Sequence, residues 1–221
     1  RAASGWLALN VNAHDLPIDE TPEFYQQQAQ GPLKDYPAIG NDNRESSYFL
    51  SMYLSCYRAA QYLVERTDWD GKTLLVTGSS QGGLQALMIA GLHPKITACI
   101  ACVPAGCDLT GPKAGRSPGW PMWYWKTEGK DAEQVIEASR YYDVVNFASN
   151  IRCPVLVGVG LIDETCPPAG ILAAMNQTKG PKEVVFLPHG AHQSVGNSHQ
   201  PFNERSEVWQ KTLRTEGLPP R

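Results

Sequence analysis

The stretch Gly78-Ser79-Ser80-Gln81-Gly82 follows a run of β-forming residues and leads directly into an apolar helical pattern. A serine hydroxyl is a weak nucleophile until a base takes its proton. A G-x-S-x-G turn between strand and helix lifts such a hydroxyl above the carboxyl end of a sheet. Ser80, with a glycine two residues to either side, is the expected nucleophile, ahead of Ser79; the alternative is a glycine-rich turn with a spectator serine. Close backbone approach at the turn is expected to exclude a Cβ at Gly78 and Gly82, and Gly83 to let the helix lie against the sheet. The Gln81 amide, first in the helix, is placed to hold a developing oxyanion.

Such a serine needs a base and an acid to orient it, each in a loop at a strand's carboxyl end, in the order serine, acid, histidine. Asp163, in LIDETCPP after the apolar run PVLVGVG, fits the acid; Glu164 is its rival, and a turn or helix-cap role is the alternative. Three histidines follow EVVFLP: His189 sits too close to the strand to reach back, His192 has the loop length to reach Ser80, and His199 lies near the next helix start. His192 is the favoured base among the three. This set implies covalent acyl transfer with no metal and no organic cofactor.

The elements that must hold these residues alternate. WLALNV (6–11), TLLVTG (73–78), TACIACV (97–103), PVLVGVG (154–160) and EVVFLP (183–188) are short, nearly continuous apolar runs, as parallel strands covered on both faces require. Helical patterns fall between them, over 46–67 with Phe49, Tyr53, Cys56, Ala60, Leu63 and Val64 on one stripe, and over 81–92, 168–178 and 203–214. The alternation predicts an α/β fold with a mostly parallel sheet and helices on both faces, in one domain over 1–221. A Gly-, Pro- and Trp-rich stretch at 108–130 reads as an excursion from the sheet. Its Trp120, Trp123 and Trp125 are candidate substrate contacts; a self-packed lobe or a subunit contact is the competing reading.

Composition narrows the function classes. With 42% hydrophobic residues, 19% charged and a net charge of -3 without a basic stripe, the chain offers nothing for nucleic acid or an anionic membrane surface and suits a neutral or weakly charged substrate. No apolar run is long enough for a membrane span. The six cysteines include Cys99 and Cys102 at redox- or zinc-like spacing, but residues three apart on a strand point to opposite faces, so buried free thiols are expected.

YRAAQYLVER, WDGKTLLVTGSSQGG, ALMIAGLHPKITACIACVP, GLIDETCPP and GPKEVVFLPHGAHQ together resemble the acetyl xylan esterase and cephalosporin C deacetylase group of α/β-hydrolases, carbohydrate esterase family 7. The resemblance implies an α/β-hydrolase fold, the triad Ser80, Asp163 and His192, deacetylation of sugars such as acetylated xylo-oligosaccharides, and a homo-oligomer. The sequence departs from the family at NAHD (12–15), where an Arg-Gly-Gln is usual, and at Gln193-Ser194, where Glu-Gly follows the histidine. On the family's strand order, WLALNV stands where strand 4 belongs and no counterpart of strand 3, whose loop gives the second oxyanion amide, is found. A gap in the sheet is therefore expected, and with it either a chain that is the C-terminal part of a longer protein or an unusual re-pairing of strand 4. A prolyl-oligopeptidase-like peptidase domain and a non-catalytic subunit of the same fold are the competing functions.

Overall fold

The computed structural model describes residues 5–220. Four strands form one parallel sheet in sequence order: β1 (Leu75–Ser79), β2 (Ala98–Cys102), β3 (Val155–Gly160) and β4 (Lys182–Leu187). The described residues also form seven α-helices: α1 (Pro22–Gln30), α2 (Tyr48–Glu65), α3 (Gln81–Leu92), α4 (Ala132–Ser139), α5 (Val144–Ala148), α6 (Pro168–Gln177) and α7 (Gln200–Glu216). The period of two along a strand divides the core. Cys99, Ala101, Val155, Val157 and Val159 pack with α2, α3, α5 and α6, while Ala98, Ile100, Cys102 and Leu156 pack with Phe202, Trp209 and Leu213 of α7. Cys99 and Cys102 thus lie on opposite faces, and all six cysteines are free thiols. α7 approaches closely because Gly158 is bare there: a Cβ would stand 2.6 Å from the Phe202 ring.

Each strand of the sheet lies within one or two residues of its apolar run, except the first run. Trp6–Val11 forms no strand, and Leu7, Leu9 and Val11 are exposed. An apolar stretch becomes a strand only where a neighbour accepts its backbone hydrogen bonds, and none among the described residues does so here. The segment faces β1 across a cavity of about 1120 Å³ lined also by Thr77, Ser79 and Gln85. Ser80 donates its amide to Cys102 and Leu74 accepts from Thr97, so the even-numbered residues of β1 turn towards β2. Leu75, Thr77 and Ser79 consequently direct their N–H and C=O groups towards the cavity. Gln85 Nε2 is buried in the same wall without a hydrogen-bond partner.

Helices α1, α4 and α5 were not among the predicted elements. Each starts at a side-chain cap: Thr21, Asp131 and Asp143 accept from amides of the first turn. The 108–130 excursion is irregular apart from two 3₁₀ turns and is tied to 35–41, where Lys126 pairs with Asp35, Lys130 donates to Ala38 C=O and Asn41 Oδ1, and Asn41 donates to Lys126 C=O. On the far edge, Glu183 of β4 accepts a fork of two bonds from Arg205 at 2.5 and 2.8 Å and a third from Trp209.

The Arg205 guanidinium holds the Glu183 carboxyl below its ordinary pKa. A carboxyl lowered on folding stabilises the protein above its unfolded pKa, and that contribution is lost as pH falls through the folded value. We predict that the Tm gap between the protein and Glu183→Gln is widest near neutral pH and closes in strong acid; a gap independent of pH would assign the effect to packing.

Candidate active site

Ser80 sits between β1 and α3 with φ 53° and ψ −118°, a conformation that costs a non-glycine residue of order 1–3 kcal/mol. Three backbone bonds hold it there. Its N–H donates to Cys102 C=O at 2.9 Å, and its C=O accepts from Leu84 and Ala105, each at 3.0 Å. The turn is so tight that a Cβ on Gly78 would lie 2.1 Å from the Gly82 carbonyl oxygen, and one on Gly83 2.9 Å from Pro104 Cα. The constraint is one-sided: a Cβ on Gly82 would meet nothing within 4 Å, because it faces the cavity beside β1. The expectation that Gly82 is sterically required is therefore corrected.

Asp163 follows β3, and its side chain is fully buried. One oxygen, Oδ1, accepts the amides of Thr165 and Cys166 at 2.9 and 2.8 Å; the other, Oδ2, lies 2.9 Å from His192 Nδ1. His192 Nε2 lies 2.7 Å from Ser80 Oγ. A carboxylate bonded in this way only accepts, so the imidazole proton belongs on Nδ1 and the lone pair of Nε2 is turned to the serine. The structure thus brings Ser80, His192 and Asp163 into one hydrogen-bonded line. The two loops that carry the acid and the base are locked together: Leu161 and Ile162 donate to Leu187 and Gly190 carbonyls, and a Cβ on Gly160 would stand 2.5 Å from Gly190 O.

The competing residues lie elsewhere. Glu164 and His189 are exposed, and Ser79 turns its backbone to the β1 cavity. His199 is buried at the start of α7 and points its Nε2 at Ala191 C=O, 2.8 Å away, so it pins the residue before His192 rather than serving as base. Gln81 opens α3, where its N–H has no carbonyl within the helix to bond. Its side chain accepts from Tyr36 Oη at 2.5 Å and donates to Met52 Sδ.

The tryptophans divide. Trp123 is 1% exposed and packed among Phe49 and Tyr142, so it is a core residue and the expectation of substrate contact is corrected. Trp120 is half-buried, stacked on Phe49 and bonded through its amide to Thr165 of the acid loop, and Trp125 is 62% exposed. Sequence reasoning missed Tyr36, which meets His14 of the divergent NAHD stretch edge-on at 4.6 Å and lies 6.3 Å from Trp120. Burial raises its phenol pKa to about 12. No local pattern announces a tyrosine that reaches the elbow from 45 residues away.

His199→Leu removes the bond to Ala191 and keeps the triad residues. A displacement of about 1 Å in a reacting group costs up to about 10²-fold in rate. We predict that turnover of an activated acyl ester falls roughly 10- to 10²-fold with KM little changed, checked by steady-state kinetics.

The acetyl xylan esterase (AXE1) family matches residues 18–212. Acetyl esterase Axe7A of Xylanibacter ruminicola is 34% identical over 200 residues, 90% of this chain and 45% of that protein. Among solved structures, the acetyl xylan esterase from Paenibacillus sp. R4 superposes with a TM-score of 0.69 at 30% identity, covering 81% of this chain and 56% of its own. Acetyl xylan esterase 1 from Thermoanaerobacterium sp. JW/SL YS485 shares the fold, with a TM-score of 0.62 at 23% identity over 74% of this chain and 54% of its own. The chain thus spans about half the length of the relatives it matches. With the parallel sheet, the serine turn and a family match across most of its length, the chain has the α/β-hydrolase fold and belongs to the acetyl xylan esterase family.

Proposed function

We propose that the protein is a serine esterase that removes acetyl groups from acetylated carbohydrates of the xylan or xylo-oligosaccharide type. The observation that carries this reading is the line from Ser80 Oγ through His192 to the buried Asp163 carboxylate. The family match and the names of two relatives, an acetyl esterase and an acetyl xylan esterase, supply the acyl group and the sugar class.

In the first half-reaction His192 Nε2 takes the Ser80 proton as Oγ bonds to the acetyl carbonyl carbon. The oxyanion is held by the Gln81 amide at the positive end of α3. The C–O bond to the sugar then breaks, and His192 returns the proton to the leaving hydroxyl. In the second half, water gives a proton to His192 and attacks the acetyl-serine; the C–Oγ bond then breaks, His192 returns the proton to Ser80 Oγ, and acetate is released. Asp163 stabilises the imidazolium and fixes its tautomer throughout. Trp120 and the exposed Trp125 are the aromatic surfaces offered to a sugar ring. The open edge of β1 has room for a further strand, whose end would arrive level with Ser80 and could bring a second oxyanion amide.

The test is acetate release from acetylated xylo-oligosaccharides and hydrolysis of 4-nitrophenyl acetate. Ser80→Ala is expected to lower kcat by at least about 10³-fold, and Asp163→Asn by about 10³- to 10⁴-fold. Equal rates in the protein and Ser80→Ala would remove the esterase assignment.

A further inference from the structure

The turn that caps Asp163 does more than hold the acid. Because Oδ1 accepts the amides of both Thr165 and Cys166, the chain curls back over the carboxylate and brings the Cys166 thiol with it. A carboxylate oxygen of Asp163, Sγ of Cys166 and a ring nitrogen of His192 all lie within 4.8 Å of one another. Cys166 and Asp163 are 3% and 2% exposed. Hydrolysis as described above gives no step to this thiol.

Imidazole, thiolate and carboxylate are the donor set of zinc and similar borderline cations. Ligand atoms around a tetrahedral zinc, at about 2.0–2.3 Å from the metal, stand roughly 3.3–3.7 Å apart. Nδ1 and Oδ2 are at 2.9 Å and no two ligand atoms of the set are more than 4.8 Å apart, so closing it asks for shifts on the order of an ångström. A divalent cation between one carboxylate and one thiolate also leaves the buried cluster without net charge, which lowers the cost of burying it.

We propose that Asp163, Cys166 and His192 form an inhibitory site for a divalent cation of the zinc type, with Nδ1 as the histidine ligand. This rests on the reading of His192 as the catalytic base. On binding, Cys166 gives up its thiol proton to water and the imidazole proton moves from Nδ1 to Nε2. One proton is released for each cation bound. Nε2–H then faces Ser80 Oγ as a donor, where catalysis needs an acceptor. The cation lies behind the imidazole, away from the acetyl group, so it disables the base without blocking substrate.

Zinc chloride titrated into 4-nitrophenyl acetate hydrolysis is expected to lower kcat at least about tenfold with KM unchanged, and a chelator to restore it. Cys166→Ala, compared with its own zinc-free rate, is expected to weaken inhibition by at least about tenfold. Cobalt(II) supplies a readout independent of turnover: its thiolate charge-transfer band should appear in the protein and in Ser80→Ala and be lost in Cys166→Ala. A cobalt band without esterase activity would keep the site and overturn the esterase reading. Unchanged rates and no band at millimolar metal, equal sensitivity of Cys166→Ala, or a rise in KM alone would each overturn the site.

Discussion

Everything at the active site depends on one close approach, the backbone of Gly78 against that of residue 82. It bends the chain sharply enough to leave Ser80 at positive φ, and the hydrogen bonds to Cys102, Leu84 and Ala105 keep it there. The conformation is costly and is imposed by its surroundings: β2 holds the amide, and the first turn of α3 and the loop after β2 hold the carbonyl. What results is a hydroxyl projecting past the sheet, beside an amide that has no helical partner.

The acid and the base reach that hydroxyl because parallel strands end on the same side. β3 delivers Asp163, β4 delivers His192, and the two loops behave as one unit through the bonds of Leu161 and Ile162 and the bare backbone of Gly160 against Gly190. His199 extends the unit into α7. The order serine, acid, histidine along the chain is therefore the order of strands in the sheet.

Much of this was legible in the residues, for reasons that also mark where legibility stopped. Strands covered on both faces must be apolar throughout, so β1 to β4 stand out as runs, and a Gly-x-Ser-x-Gly between strand and helix has few other uses. Trp6–Val11 carries the same pattern without becoming a strand, since pairing depends on a neighbour that apolarity alone does not reveal. Trp123 and Trp125 are two residues apart in one loop, yet one is core and the other solvent-facing; an aperiodic stretch gives no rule for which is which. Gly82 looked as necessary as Gly78, and only the cavity beside it shows that the steric demand falls on one side. Tyr36 reaches the elbow, with His14 packed behind it, through tertiary docking of the 35–41 and 12–15 segments, which leaves no local trace.

The outward row of amides and carbonyls on β1 has a consequence for the chain's behaviour in solution. Among the described residues Leu75, Thr77 and Ser79 have no strand paired to them, and β1 carries no proline or charged side chain that would turn an extended backbone away. The strand that delivers the nucleophile is thereby also an edge open to pairing among the described residues, and a strand laid along it would stiffen the turn that carries Ser80.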